Sequence, residues 1–200
     1  MRNFDETASE ASPRSTDRGF TLVELLVYLF LGVVILTIVG AVLINSLRAE
    51  SQVRDAAQSA STAQLISESL GRGVRNASAV EVTNPAAGTI VVRTRSIDGS
   101  QAGAWFCQAW VWRSGELRTT RSASALPANP DAAVLAGWTL LATDVEQVGS
   151  APIFSLAPNG RSLDVNLAVG IGRGIPVLVD TVVVAKQPVP STGKVSAPCF

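Results

Sequence analysis

The chain of 200 residues contains no histidine. That absence removes Ser-His-Asp and Cys-His catalysis and every zinc site that uses an imidazole ligand. Cysteine is nearly as scarce: Cys107 and Cys199 are the only two, too few and too far apart in sequence for a thiolate cage. Net charge is lacking too. Lys+Arg and Asp+Glu both number 16, so there is no basic excess of the kind that nucleic-acid binding demands, and nucleic acid is not an expected partner. Neither catalysis, nor a cofactor, nor a metal site is expected from this inventory.

Two local absences say more. No charged residue occurs from Leu25 to Ile44, a run of 20 residues reading LLVYLFLGVVILTIVGAVLI. At about 1.5 Å rise per residue such a helix crosses a hydrocarbon core of roughly 30 Å. No Pro or Gly occurs from Asn45 to Leu70, so nothing in that stretch stops a helix begun upstream.

What is present at the head of the apolar run is one carboxylate, Glu24, in the segment Arg18-Gly19-Phe20-Thr21-Leu22-Val23-Glu24. An ionisable group at the entrance to a membrane span is costly unless it stays near the headgroups or meets a cation, which makes it a functional candidate. The preceding residues, Met1 to Arg18, form a polar leader that ends in a small residue, Gly19. A secretory signal is cut after its apolar stretch and loses it. Here a cut after Gly19 keeps the apolar segment and places a new α-amino group on Phe20, about one helical turn from Glu24.

The order Gly19-Phe20-Thr21-Leu22-Val23-Glu24 resembles, without a mismatch, the class III signal of type IV pilins and type II secretion pseudopilins, and the close resemblance covers about residues 18 to 45. The resemblance implies cleavage after Gly19 by a prepilin peptidase and N-methylation of Phe20. It also implies that Glu24 meets the N-terminal amine of a neighbouring subunit during filament assembly. Many members carry a proline some twenty residues into the mature chain; this sequence has Gly40-Ala41 there, so no proline kink is expected. Removing Arg2, Arg14 and Arg18 and Asp5, Glu6, Glu10 and Asp17 with the leader leaves 13 basic and 12 acidic residues. Arg residues flank both ends of the span, so an N-terminus on the cytoplasmic side is implied by the resemblance and not by charge counting. The competing reading is an ordinary signal anchor with a chance glutamate.

Beyond the span, Leu43, Leu47, Val53, Ala57, Ala60, Leu65, Ile66 and Leu70 form an approximate helical stripe opposed by Arg48, Glu50, Arg54, Asp55 and Glu68. The expectation is one helix over residues 20–75, with residues 22–44 in the membrane and Gly71 and Gly73 as its stop. A free-standing coiled coil is disfavoured by the small residues in the stripe and the lack of sustained heptads. Strand-like runs follow at 78–83, 89–96, 104–113 and 116–120, with turns at Asn84-Pro85, Asp98-Gly99 and Ser114-Gly115. A polar stretch covers 122–136 and 138–148 is ambiguous. Strands resume at 152–156, 162–169 and 175–186, with a hairpin turn at Asn159-Gly160. The fold class is therefore α+β: a long N-terminal helix, its first half transmembrane, packed on an antiparallel β-sheet head domain. The expected organisation is a cleaved leader at 1–19, the helix at 20–75 and a β-rich head at 76–200 whose tail, 188–200, is rich in Pro and Ser. Alternation puts Trp110 and Trp112 on one face of a strand and Trp105 and Cys107 on the other, as sheet core and helix-packing surface.

In an exported head, Cys107 and Cys199 are expected to form one disulfide that ties down the tail; the alternative is a buried free Cys107 beside a reactive Cys199. Three motif fragments are set aside. Ser191-Thr192-Gly193-Lys194 has a penicillin-binding spacing without its companion motifs, Gly170-Ile171-Gly172-Arg173-Gly174 has the wrong spacing for a dinucleotide loop, and Asn76-Ala77-Ser78 is a formal sequon with no assigned role. Asp144 and Glu146 read as solvated loop charges. The expected protein is a structural minor subunit of a type IV pilus or type II secretion pseudopilus. Its expected partners are prepilin peptidase, other pilin or pseudopilin subunits, an inner-membrane assembly platform and membrane lipid. It is expected first in the cytoplasmic membrane, single-pass with the head outside, and then in the pilus or pseudopilus. The alternative from another class is a non-polymerising, single-pass anchored binding or sensor domain.

Overall fold

The computed structural model describes residues 21–97, 105–170, 175–189 and 198–200. The chain divides into two compact units, Met1–Arg48 and Ala49–Phe200, and the long helix α1 (Leu22–Arg75) contributes residues to both.

In the first unit α1 is apolar on every side. Its large hydrophobic residues from Leu22 to Leu47 are all exposed, and its most apolar stretch has mean hydropathy 2.9 with no buried residue. The helix is long and apolar enough to cross a membrane. Its two aliphatic hydroxyls are consistent with that medium: Thr37 Oγ1 donates to the Val33 carbonyl at 2.8 Å and Ser46 Oγ to the Val42 carbonyl at 2.9 Å, so neither needs water.

In the second unit α1 becomes amphipathic. Ser59, Ala63, Ile66, Leu70 and Gly73 are buried at alternating spacings of four and three, one face of a helix, and Gly71 and Val74 beside them are buried too. An antiparallel meander of five strands follows, ordered β1 (Ala77–Ala86), β2 (Thr89–Ile97), β3 (Trp105–Arg113), β4 (Glu116–Ser122) and β5 (Thr139–Ala142). The short helix α2 (Ala132–Ala136) lies between β4 and β5. A second antiparallel sheet contains β6 (Val145–Gln147), β7 (Phe154–Leu156), β8 (Ser162–Val169) and β9 (Val177–Val184). In it β9 pairs along the whole of β8, while β7 and β6 share the rest of β8's pairing, at Leu163–Val165 and Leu167–Val169.

A long N-terminal apolar helix followed by an antiparallel β domain is thus the observed architecture, but the β part is two sheets where one was expected. The switch lies at Thr143-Asp144, between β5 and β6. Asp144 adopts φ 55°, and its carbonyl accepts from Gly170 N at 3.1 Å, which turns the chain onto β8. A further expectation is corrected. Asn84-Pro85 does not end β1; it falls in a register shift of this edge strand, where a residue without an N–H is tolerated, and the turn is Ala87-Gly88. The polar stretch 122–136 also holds α2, which Asp131 caps by accepting at Oδ1 from Val134 N at 2.8 Å.

Gly71 and Gly73 do not stop α1, which runs on to Arg75. Gly73 serves packing instead. A Cβ built there would lie 2.1 Å from Trp110 Cη2 and 2.6 Å from its Cζ2, so only glycine lets the indole of β3 reach the helix. Trp110 is completely buried and donates from Nε1 to Ser69 Oγ at 2.9 Å. Trp112, on the same strand face, donates to the Val145 carbonyl at 2.9 Å and ties the meander to the second sheet. Around these indoles α1 and both sheets share the main core, which includes Ile66, Leu70, Val92, Phe154 and Leu163.

The opposite face of the meander carries a smaller core: Val91, Cys107, Ala109, Val111, Leu126, Leu135, Trp138 and Cys199. Being covered on both faces explains why β2 is buried along nearly its whole length instead of alternately.

Candidate processing and assembly site

Gly19 and Phe20, the two processing residues read from the sequence, lie outside the described residues. The described part begins at Thr21, which caps α1. Its Oγ1 accepts from the Glu24 N–H at 3.3 Å and its carbonyl accepts from the Leu25 N–H at 3.2 Å. The Thr21-x-x-Glu24 spacing is that of a capping box, a signal available in the sequence that the motif reading passed over. Glu24 stands in the first turn, where a negative charge complements the partial positive charge of the helix N-terminus.

The Tyr28 side chain, leaning toward the N-terminus as helical side chains do, reaches back to Glu24. Glu24 Oε1 accepts a hydrogen bond from the Tyr28 hydroxyl, four residues on, at 3.3 Å. The sequence reading missed this partner too, although four-residue spacing places two helical side chains together.

In the second unit the structure joins Cys107 to Cys199 in a disulfide, with a Cα–Cα distance of 5.2 Å and a sequence separation of 92. The end of the chain is held there by more than the bond. Leu126 N donates to the Cys199 carbonyl at 3.1 Å, and Arg93 Nη1 donates to the Leu126 carbonyl at 2.7 Å. The same guanidinium carbon lies 5.0 Å from the centre of the Phe200 ring. Arg93 is nearly buried and is compensated by an ion pair with Glu81 on the neighbouring strand. Its neighbour Arg95 stacks 3.6 Å from the Trp105 ring centre and donates to Ser78 Oγ at 2.9 Å. Burial lowers the Arg95 pKa from its ordinary value. These cations are absorbed by structural contacts.

Among the described residues no three of His, Cys, Asp and Glu gather to hold a metal. Asp144 and Glu146 line a cleft of about 280 Å³ with Ala168, Gly170 and Pro176, which bring neither a nucleophile nor a cation to it.

No curated protein and no solved structure matches the chain. One family model does: the prokaryotic N-terminal methylation motif, over residues 14–40. A motif of this type implies processing by prepilin peptidase and assembly with other pilins, and with the apolar helix it points to membrane anchoring. It points to a structural subunit and supports a pilin-like or pseudopilin precursor, since residues 14–40 are the class III signal sequence of type IV pilins and pseudopilins.

Proposed function

We propose that this protein is a minor structural subunit of a type IV pilus or type II secretion pseudopilus, cut after Gly19, N-methylated on Phe20 and drawn into the filament by Glu24. The observation that carries the reading is the methylation motif at the head of a helix with a 20-residue uncharged run and no buried residue in its most apolar stretch. Before assembly the helix spans the cytoplasmic membrane, with residues 1–19 on the cytoplasmic side and the β domain outside; the subunit then passes through an inner-membrane assembly platform into the filament. Minor status is supported by the size of the β domain, two sheets and a capped helix beyond the long α1. In the filament an unpaired Glu24 carboxylate in a low-dielectric layer costs several kcal/mol, and the methylated amine of an adjacent subunit recovers part of that cost and sets axial register.

Mass spectrometry of the protein from cells with an active prepilin peptidase tests the processing step. The expected mature chain begins at N-methyl-Phe20, and Gly19→Leu leaves the full precursor. Recovery of wild-type protein with Met1 to Gly19 intact would leave the anchored, non-polymerising domain as the better reading.

A further inference from the structure

The run from Leu25 to Ile44 contains one side chain with a polar tip in its first turns, Tyr28, and this is the only tyrosine in the protein. Its hydroxyl donates to Glu24 Oε1 at 3.3 Å. That contact engages one oxygen of the carboxylate. Phe20, which carries the mature amine in the proposed function, is four residues before Glu24, and Tyr28 is four residues after it. The Phe20 amine and the Tyr28 hydroxyl are thus two donors at four-residue spacing from one carboxylate, and an oxygen engaged by Tyr28 is withheld from the amine of its own chain. Both oxygens carry charge, so a carboxylate with Oε1 on the phenol still has Oε2 to offer to a second donor.

We infer that Tyr28 is a positioning residue: it engages one oxygen of the Glu24 carboxylate, withholds it from the amine of its own chain, and so keeps the carboxylate available to the amine of another subunit. The inference rests on the assembly role proposed for Glu24. The physical basis is the medium. In lipid no water competes for the phenol or the carboxylate, so a charge-assisted hydrogen bond between neighbours on one helix face is retained. It also lowers the cost of carrying a lone carboxylate in the span before a partner arrives.

The test uses the full processed chain in membranes, with [13Cζ]tyrosine as the label, because a single tyrosine gives a single resonance that responds to hydrogen bonding of its hydroxyl. Glu24→Ala is expected to shift that resonance; an unmoved resonance means the contact does not exist in the membrane and overturns the inference. Tyr28→Phe removes only the hydroxyl. It is expected to leave cleavage after Gly19 intact and to lower copurification with other pilin-like subunits by about tenfold, the loss expected for one charge-assisted hydrogen bond. In a Glu24→Ala background the same change is expected to add nothing, since the two residues act as a pair. Tyr28→Trp separates this role from aromatic anchoring at the membrane interface: it keeps the interfacial preference, and full copurification in that variant would assign Tyr28 to anchoring and overturn the inference. If Glu24→Ala abolishes copurification while Tyr28→Phe leaves it at the wild-type level, the inference falls and the assembly role stands. Unchanged copurification in Glu24→Ala removes the assembly role itself and the inference with it.

Discussion

One helix, α1, meets two regimes. Its residues in the first unit are apolar all round and none of the large ones is buried; its residues in the second unit are more polar, yet Ile66, Leu70 and Val74 are almost fully enclosed. Hydrophobicity and burial run in opposite directions along a single element. In the first unit the sequence specifies a solvent, since any apolar side chain satisfies a bilayer. In the second it specifies neighbours, and there small residues matter as much as large ones, because Gly73 and Ser69 meet one indole. Substitutions should therefore be judged by shape in the second unit and by polarity alone in the first.

The contrast can be broken or sharpened by four substitutions, the three in the second unit read by denaturant unfolding with tryptophan fluorescence, since every tryptophan lies there, and the one in the first by the loss of helical circular dichroism in detergent micelles. Loss of the disulfide has the largest expected effect: Cys199→Ser opens a loop spanning 92 residues, and a loss of about 4 kcal/mol is expected for the second unit, with proteolysis of the tail. An unchanged unfolding midpoint would mean that Arg93, Leu126 and Phe200 hold the end of the chain unaided. Next comes Gly73→Ala. The added methyl collides with the Trp110 ring, and the expected loss is about 3 kcal/mol even though alanine is the better helix former. Ser69→Ala leaves the Trp110 indole N–H without its partner, at a cost of about 1–2 kcal/mol. Gly40→Ala is the control in the first unit, where nothing lies within 4 Å of the new methyl; a change below about 0.5 kcal/mol is expected. A large effect at Gly40 would show that the first unit is also specified by shape.

The same distinction explains what could be read from the sequence. The span, the strand Ser162–Val169 and the Asn159-Gly160 turn were legible because local chemistry fixes them. In that turn Asn159 Oδ1 accepts from Arg161 N at 2.8 Å and Gly160 takes φ 65°, both properties of the residues themselves. The division into two sheets was not legible, since it depends on Asp144 meeting Gly170 across a gap in sequence that no local pattern encodes. Gly73 was misread for the same reason: a glycine near a helix end looks like a stop until the indole it admits is known. At the candidate processing and assembly site, Glu24 stands out in the sequence as an anomalous charge, whereas Thr21 and Tyr28 do not, because neither is unusual alone. Their spacings of three and four from Glu24 are the signal.

The disulfide also has a mechanical meaning. It closes residues 107–199 into a covalent ring, so a pull between α1 and the C-terminal Phe200 can draw out only the roughly 30 residues between Arg75 and Cys107, about 100 Å when fully extended. Reduction would release a further length on the order of 300 Å. Under any pull along the chain, the redox state of this one bond therefore sets how far the β domain can be stretched before its backbone bears the load.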